Sequence, residues 1–223
     1  MPIAPLRSPA WRHFTGLQPY GPVIEAMQAH VGVIRQAGAS EAIWLLEHAP
    51  VYTGGTSARP ADLLKPGNVP TIIVGRGGQW TWHGPGQRVV YVMLDLVKRG
   101  QDVRALVRAL EGWVIACLAD FGIVGKRRPG LPGIWVATGN SVSGYDKVAA
   151  IGIRISRWVS WHGLAINLDP DLNAFDAIVP CGVNDGGVTS LARLGVTTSM
   201  AALDASLMRH FETFFPPTAA DAG

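Results

Sequence analysis

The chain has 223 residues, of which 48% are hydrophobic and only 16% are charged. This length and composition are enough to bury a hydrophobic core, which excludes an intrinsically disordered protein. The net charge is only +3, and the dispersed positive charge argues against a nucleic-acid-binding protein.

The two cysteines, Cys117 and Cys181, are too few for a disulfide framework and favour a reducing, cytoplasmic setting. No apolar run has the length that crossing a bilayer requires. The N-terminal residues also lack the apolar segment of a signal peptide. We therefore expect a cytoplasmic protein that does not insert into a membrane.

The first half of the chain combines short strands with one helix. Apolar spacing and turn residues predict, in order, an irregular proline-rich segment (1–20), a helix (22–37), a buried strand (42–46), two loops (47–55 and 62–68) and two strands (71–74 and 89–94).

The second half holds the longest apolar stripe. The same signals predict a helix (101–121), three strands (133–137, 147–155 and 158–168), a short helical turn or loop (170–178), a C-terminal helix (197–215) and a frayed tail (216–223). Cys117 lies in the first of these helices, where we expect a small buried thiol. Strands in hairpins and long helices together predict an α/β (α+β) fold. It is expected to form one domain over 1–223, with a mixed β-sheet flanked by helices.

A glycine-rich stretch, residues 76–87, stands between two of the predicted strands. It reads Arg-Gly-Gly-Gln-Trp-Thr-Trp-His-Gly-Pro-Gly-Gln. Glycine allows a backbone to approach a ligand closely, and the stretch also carries two tryptophans and a histidine. Two interpretations are open, a wall of a ligand site and an ordinary hairpin loop.

Cys181 stands between Pro180 and Gly182, where free backbone N–H groups could stabilise a thiolate or an oxyanion. A thiol is only slightly ionised at neutral pH, so a catalytic cysteine needs a base or a cation nearby. The candidate activators are His48, His83, His162 and Lys147. The alternative is a loop cysteine without a role.

Two other kinds of site have little support in the sequence. A zinc site would combine Cys181 with two histidines, but there is no Cys-x-x-Cys motif and no paired histidine spacing. No Gly-Lys-Ser/Thr follows the glycine-rich stretch, so there is no phosphate-binding loop. We therefore predict neither a metal nor a cofactor.

The densest positive charge is at residues 126–128, which are Lys-Arg-Arg. One interpretation is a solvated loop. The other is a docking patch that attracts an acidic partner.

Seven ordered motifs together resemble the lipoyl(octanoyl) transferases, also called octanoyl-[acyl-carrier-protein]–protein N-octanoyltransferases. The motifs are residues 47–53, 76–87, 133–136, 147–152, 162–167, 180–182 and 187–191. The resemblance extends over nearly the whole chain, and its most specific parts are the glycine-rich stretch and the Pro-Cys-Gly at 180–182. Trp80 and Trp82 replace a β-branched residue and a tyrosine of the family pattern.

The resemblance implies a fold similar to the catalytic domains of biotin and lipoate protein ligases. It implies that Cys181 holds an octanoyl thioester and that Lys147 lowers the pKa of this thiol. The residues implied to line the acyl chain are Arg76, Gly77, Gly78, Gln79, Trp80, Thr81, Trp82, His83, Ala150, Ile151, Gly152, Gly163, Leu164 and Ala165. His83 could instead be the base that pairs with Cys181. We expect His162 to be a structural hydrogen-bonding residue of its strand.

The implied activity is transfer of an octanoyl (or lipoyl) group to a lysine, the first step of protein lipoylation, without ATP. The implied donor is octanoyl-acyl carrier protein. The implied acceptors are lipoyl domains of 2-oxoacid dehydrogenases and the glycine cleavage H protein, and we expect a monomer. The alternatives are an ATP-dependent lipoate–protein ligase and a non-catalytic acyl-binding module of the same fold.

Overall fold

The computed structural model describes residues 8–36, 38–179 and 186–217. The helices within them are α1 (Tyr20–Gln36), α2 (Val103–Ala119) and α3 (Met200–Phe214), with short 3-10 helices at Pro60–Asp62 and Leu172–Ala177. The strands are β1 (Ala10–Gln18), β2 (Ala42–His48), β3 (Val51–Gly54), β4 (Thr71–Ile73), β5 (Trp80–His83), β6 (Gln87–Met93), β7 (Lys126–Arg128), β8 (Leu131–Ala137), β9 (Tyr145–Ser156), β10 (Val159–Asn167) and β11 (Gly187–Val188).

The three long helices confirm the elements predicted from helical spacing. In α1, Val23, Met27 and Val31 are buried on one face. The side chain of Asp102 accepts a hydrogen bond from the backbone of α2, and that of Ser199 does the same for α3. Such caps satisfy backbone N–H groups that have no partner within a helix, and so they fix where α2 and α3 begin.

The larger sheet has the strand order β1-β2-β6-β10-β9-β8-β7, and β11 extends it beside β9. The pairs β1–β2 and β9–β11 are parallel, whereas the other neighbouring strands of this sheet run antiparallel. The smaller sheet has the order β4-β3-β5. The expected α/β (α+β) fold with a mixed sheet and flanking helices is therefore confirmed.

The larger sheet separates two hydrophobic clusters. Ile43 and Leu45 of β2 belong to the cluster shared with α2 and α3, whereas Trp44 and Leu46 belong to the cluster shared with α1. This alternation arises because successive side chains of a strand point to opposite faces. Cys117 of α2 is buried in the first cluster, which confirms its expected place in the core.

The N-terminal segment differs from the expectation that residues 1–20 are irregular. Residues 10–18 form β1, which pairs in parallel with β2 at the edge of the sheet. Only Trp11, Phe14 and Gln18 of this strand are partly buried. The register shifts near Gly16, which has a φ of 68°. An exposed edge strand with an interrupted register lacks the apolar alternation from which a strand is predicted.

Two segments predicted as loops also contain strands. β3 lies within 47–55 and β5 lies within 76–87, and the two pair with each other in antiparallel register. Each strand has only four residues and stands beside glycines, so periodicity gave no signal. Of the predicted tail, residues 218–223 lie outside the described part. Within the described ranges, no helix combines the length and apolarity needed to cross a bilayer.

Candidate active site

A cavity of about 380 Å³ lies between the two sheets. Its walls come from β5, β6, β9 and β10, from the glycine-rich loop before β5, from the start of α1 and from the start of β8. The volume is within the range of small-molecule pockets. The cavity is therefore large enough to hold a small organic group.

Pairs of small residues form the floor of the cavity. Ala150 of β9 lies opposite Ala165 of β10, and Gly152 lies opposite Gly163. A Cβ atom on Gly163 would lie 2.1 Å from the backbone oxygen of Val90, so a side chain there has no room. The result is a narrow apolar floor that suits an unbranched chain.

Arg76 fastens the glycine-rich loop to the smaller sheet. Its Nη2 donates to the carbonyl oxygen of Thr53 at 2.8 Å and to the Thr53 hydroxyl at 2.9 Å. The backbone of Gly77 donates to the carbonyl oxygen of Ile153 in the larger sheet at 2.9 Å. A Cβ atom on Gly152 would come within 3.0 Å of the Arg76 side chain. The loop is thus held as a fixed wall between the two sheets.

Five aromatic side chains, Tyr20, His48, His83, Tyr91 and His162, form what we call the inner polar cluster. The ring centroids of Tyr20 and His48 are 5.0 Å apart, those of His48 and Tyr91 are 5.8 Å apart, and those of Tyr91 and His162 are 6.0 Å apart. His83 stacks on Tyr20 at 6.4 Å. All except His48 line the cavity, so one end of it carries polar atoms.

The hydrogen bonds of His48 define its tautomer. Its Nδ1 lies 2.9 Å from the carbonyl oxygen of Gln18, and because that oxygen only accepts, Nδ1 donates. Burial lowers the pKa of His48 to about 4, so the ring is neutral at pH 7. Its Nε2 therefore accepts from the Tyr91 hydroxyl at 2.7 Å.

The tautomer of His83 follows in the same way. The amide nitrogen of Gln87 donates to Asn167 at 2.9 Å, so the Gln87 Oε1 accepts from His83 Nδ1 at 2.6 Å. Burial, assisted by the nearby His48, lowers the pKa of His83 to about 3. The neutral ring therefore carries a lone pair on Nε2. Among the described residues, no trio of His, Cys, Asp or Glu could hold a metal ion.

Lys147 lies further along β9 and also lines the cavity. Its exposed fraction is 6%. The Nζ atom donates to the carbonyl oxygen of Pro132 at 3.0 Å and lies 4.6 Å from the centroid of the Trp135 ring. These contacts offset part of the cost of burying an ammonium group. A Cβ atom on Gly133 would lie 3.3 Å from Lys147 Cε, so this glycine makes room for the lysine.

Cys181 lies outside the described residues, together with Pro180 and Gly182. The described chain resumes close to Lys147. Val188 of β11 lies opposite Lys147, and the backbone of Thr189 donates to the Lys147 carbonyl oxygen at 2.9 Å. The first described strand after this gap, β11, therefore runs beside Lys147.

All the residues named above as implied acyl-pocket residues line the cavity except Trp82. The Trp82 ring packs edge-on against Phe175, with their centroids 5.7 Å apart. It belongs to a separate hydrophobic cluster below the smaller sheet. Successive residues of β5 point to opposite faces, so Trp82 points away from the face of Thr81 and His83. Trp80 shares the face and the cluster of Trp82 and still borders the cavity at the start of the strand.

Spacing in the sequence gave no sign of Tyr20 and Tyr91 as lining residues. Tyr91 of β6 reaches the cavity because it lies opposite Gly163 of the neighbouring strand β10. No local motif in the sequence shows this pairing.

His162 also lines the cavity. Its ring makes no hydrogen bond to the other described residues and instead stacks on Trp161 at 4.8 Å. Among the described residues, His162 makes its hydrogen bond to a side chain through its backbone, whose N–H donates to the Met27 sulfur at 3.4 Å.

Residues 126–128 form β7, so the interpretation as a loop is wrong. The guanidinium of Arg128 lies 4.8 Å from the centroid of Trp135, and Arg127 pairs with Glu111 at 3.1 Å. Lys126 and Arg127 are exposed. This positive strand pairs with β8, whose first residues line the cavity, so the charge stands close to the cavity rim.

Comparison with known proteins agrees with this geometry. Residues 24–212 match the lipoyl protein ligase A/B catalytic domain. The chain is 55% identical over 212 residues to an octanoyltransferase of Cereibacter sphaeroides, covering 92% of this chain and 97% of the relative. It is 54% identical over 201 residues to an octanoyltransferase of Rhizorhabdus wittichii, covering 90% and 89%.

Solved structures share the fold at lower identity. A bi-partite lipoate protein ligase from Thermoplasma acidophilum has a TM-score of 0.68 at 15% identity, covering 94% of this chain and 84% of that one. Biotin protein ligase from Aquifex aeolicus, in complex with biotin and ATP, has a TM-score of 0.54 at 12% identity, covering 92% and 69%. The resemblance found in the motifs is confirmed, and the chain belongs to the octanoyltransferases of the lipoyl protein ligase A/B catalytic-domain family.

Proposed function

We propose that this chain carries an octanoyl group from acyl carrier protein to a lysine of a lipoyl domain, through a thioester on Cys181. This transfer is the first step of protein lipoylation. The name of the curated relatives supports the acyl group. The observation that carries the proposal is the cavity itself, in which an apolar floor leads to the buried Lys147.

The floor fits the acyl chain by shape and polarity. Ala150, Ala165, Gly152 and Gly163 present methyl groups and bare backbone along two paired strands. An unbranched chain can lie flat on such a floor, and each methylene removed from water contributes roughly 0.8 kcal/mol. The glycine-rich loop closes the chain in from the other side.

In the first step, the thiolate of Cys181 attacks the carbonyl carbon of the donor thioester. A new carbon–sulfur bond forms, and the bond to the carrier thiol breaks. One thioester replaces another, so the step is close to thermoneutral. The ammonium of Lys147 favours the thiolate and then gives its proton to the departing carrier thiolate. Val188 of β11 lies opposite Lys147 seven residues after Cys181, a length that spans at most about 25 Å.

In the second step, the neutral amine of the acceptor lysine attacks the acyl-Cys181 thioester. An amide forms, and Cys181 leaves as a thiolate. Lys147, neutral after the first step, takes the proton that the amine loses. The amide is more stable than the thioester, so this step draws the reaction forward. No nucleotide takes part in either step.

The proposed partners follow from this chemistry. The donor is octanoyl-acyl carrier protein, and the acceptors are lipoyl domains of 2-oxoacid dehydrogenases and the glycine cleavage H protein. The exposed charges of β7 stand near the cavity rim and would steer acidic partners towards it. A free catalytic thiol suits the reducing cytoplasm, where we place the reaction.

Intact-mass measurement after mixing the protein with octanoyl-acyl carrier protein tests the proposal. We expect one octanoyl adduct without ATP, removed by neutral hydroxylamine as a thioester is. Cys181→Ser is expected to lose this labile adduct. Cys117→Ala is the matched control and keeps it, because Cys117 is buried and burial raises its pKa to about 12.

Two results would overturn the proposal. One is a hydroxylamine-labile adduct that persists undiminished in Cys181→Ser. The other is acyl transfer to a lipoyl domain that proceeds only from free octanoate and ATP, which would indicate a ligase. Tight binding of octanoate without any adduct would indicate a binding module.

A further inference from the structure

A second cavity, of about 390 Å³, lies between α1 and the turn of the β9–β10 hairpin. Its lining comes from both elements and consists of Gln28, Val31, Gly32, Arg35, Arg154, Ser156, Arg157 and Trp161. None of these residues is among those that line the cavity described above. The second cavity is therefore a separate site, and the proposed acyl transfer makes no use of it.

The lining of the second cavity is positively charged. It includes three arginines, Arg35, Arg154 and Arg157, and no aspartate or glutamate. Arg35 pairs with Asp95 at 3.3 Å, whereas within the described ranges Arg154 and Arg157 form no ion pair. Guanidinium groups bind multi-oxygen anions such as phosphate through several charge-assisted hydrogen bonds. Two uncompensated guanidinium groups at one cavity favour an anion that carries two negative charges.

The side chain of Arg154 is packed on two sides. Its guanidinium lies 4.8 Å from the centroid of the Trp161 ring. On the other side, a Cβ atom on Gly75 would overlap the Arg154 Nη1 atom, so this glycine leaves the space that the guanidinium fills. A side chain that is already positioned loses less conformational freedom when it binds a ligand. Arg154 is therefore a preorganised donor at the cavity.

Trp161 supplies an unpaired donor beside these arginines. The residue is 4% exposed, and its Nε1 atom has no hydrogen-bond partner among the described residues. A buried indole N–H usually has a partner. Because Trp161 lines the second cavity, an acceptor for this N–H can enter there.

The turn that carries Arg157 has an unfavourable backbone conformation. Ser156 pairs with Val159, so Arg157 and Trp158 form a two-residue hairpin loop, and their φ values are 49° and 65°. Such loops usually carry asparagine or glycine, because a positive φ is costly for other L-residues. Backbone strain often accompanies a functional site, and this turn brings an arginine to the second cavity.

We propose that the second cavity binds a small organic phosphate, with the phosphate group held by Arg154, Arg157 and Trp161. A phosphate monoester carries nearly two negative charges at neutral pH and offers several acceptor oxygens to these donors. The volume of the cavity is within the range of small-molecule sites. Val31 and the Trp161 ring give an apolar wall for the organic part. The inference does not depend on the proposed acyl transfer.

The NMR signal of the Trp161 indole N–H tests where the phosphate binds. The signal is assigned by its absence from the spectrum of Trp161→Phe. We expect it to shift when inorganic phosphate or phenyl phosphate is added at constant ionic strength. The signal of Trp113, whose Nε1 donates to the carbonyl oxygen of Leu207 at 2.9 Å, should stay unchanged. A Trp161 signal that neither compound moves would overturn the proposal.

Calorimetry with variants tests the two arginines. We expect inorganic phosphate to bind with a Kd of about 1 mM and phenyl phosphate to bind more tightly. Arg154→Gln and Arg157→Gln are each expected to weaken binding by about tenfold. Arg104→Gln is the matched control, because it removes the same charge from an exposed position of α2 outside the second cavity. We expect it to keep the Kd of the unchanged protein.

Two calorimetric results would overturn the proposal. Equal weakening in Arg104→Gln and Arg154→Gln would show that phosphate responds only to net charge. Phenyl phosphate that binds no more tightly than inorganic phosphate would exclude an organic ligand. Octanoyl transfer by the same samples is a separate measurement, and its failure would contradict the proposed function while the phosphate site stands.

Discussion

Replacing Gly133 by alanine is expected to destabilise the protein by about 2–5 kcal/mol. Gly133 has a φ of 120°, and such a conformation costs an L-residue about 1–2 kcal/mol. The new Cβ atom would lie 2.6 Å from the carbonyl oxygen of Ala149 and 3.3 Å from Lys147 Cε. Overpacking of this kind adds about 1–3 kcal/mol. The free energy of unfolding in urea measures the sum.

Gly139→Ala separates backbone strain from the contact. Gly139 has a φ of 71° and no heavy atom within 4 Å of a new Cβ, so we expect only about 1–2 kcal/mol. We also expect Gly133→Ala to slow octanoyl transfer, because Lys147 must move from Pro132. If the free energies of unfolding of the two variants differ by less than about 0.5 kcal/mol, the close packing of Ala149 and Lys147 around Gly133 is contradicted.

Three further predictions follow from the cavity. Lys147→Met keeps the side-chain length but removes the cation, so the rate of octanoyl transfer should fall by about 100-fold or more. Octanoate should still bind to this variant. A smaller loss of rate contradicts the proton-transfer role. Ala150→Leu fills the floor, so in a competition assay the preference should move from octanoyl to butanoyl groups; an unchanged preference places the chain elsewhere. Burial lowers the pKa of His48 from 6.5 to about 4, and those of His83 and His162 to about 3. The stability that these neutral rings contribute is complete above about pH 6.5 and is lost as the pH falls to about 4 for His48 and to about 3 for the other two. At about pH 5 the loss approaches about 2 kcal/mol per histidine, and equal urea midpoints at pH 7 and pH 5 would contradict it.

The sequence predicts most of the fold because its long elements are strongly periodic. The stripes of α1 and α2 and the apolar runs of β2 and β6 need no tertiary information. β1, β3 and β5 escape prediction for a physical reason. β1 is an exposed edge strand, and the other two have only four residues each. All three are strands because they pair with neighbouring strands, and their own sequences lack a clear apolar alternation.

Some residues that line the cavity are predictable from the sequence, and others are not. Glycine-rich and small-residue motifs point to Gly77, Ala150 and Gly152. A ligand that lies close to the backbone requires small side chains, and these are visible in the sequence. Tyr91 enters only through cross-strand register with Gly163. Trp82 does not line the cavity, because its ring packs against Phe175 on the other face of β5. Such features depend on which strands become neighbours, and one sequence does not specify this locally.

A crystal structure of the octanoylated protein tests the central claim most directly. We expect a thioester on Cys181, with the acyl chain on the floor formed by Ala150 and Ala165. The Lys147 Nζ atom should lie within about 4–6 Å of the thioester sulfur, the range over which a charge affects a thiol strongly. An acyl group bound outside the cavity, or a Lys147 that is well beyond that distance, would contradict the proposed mechanism.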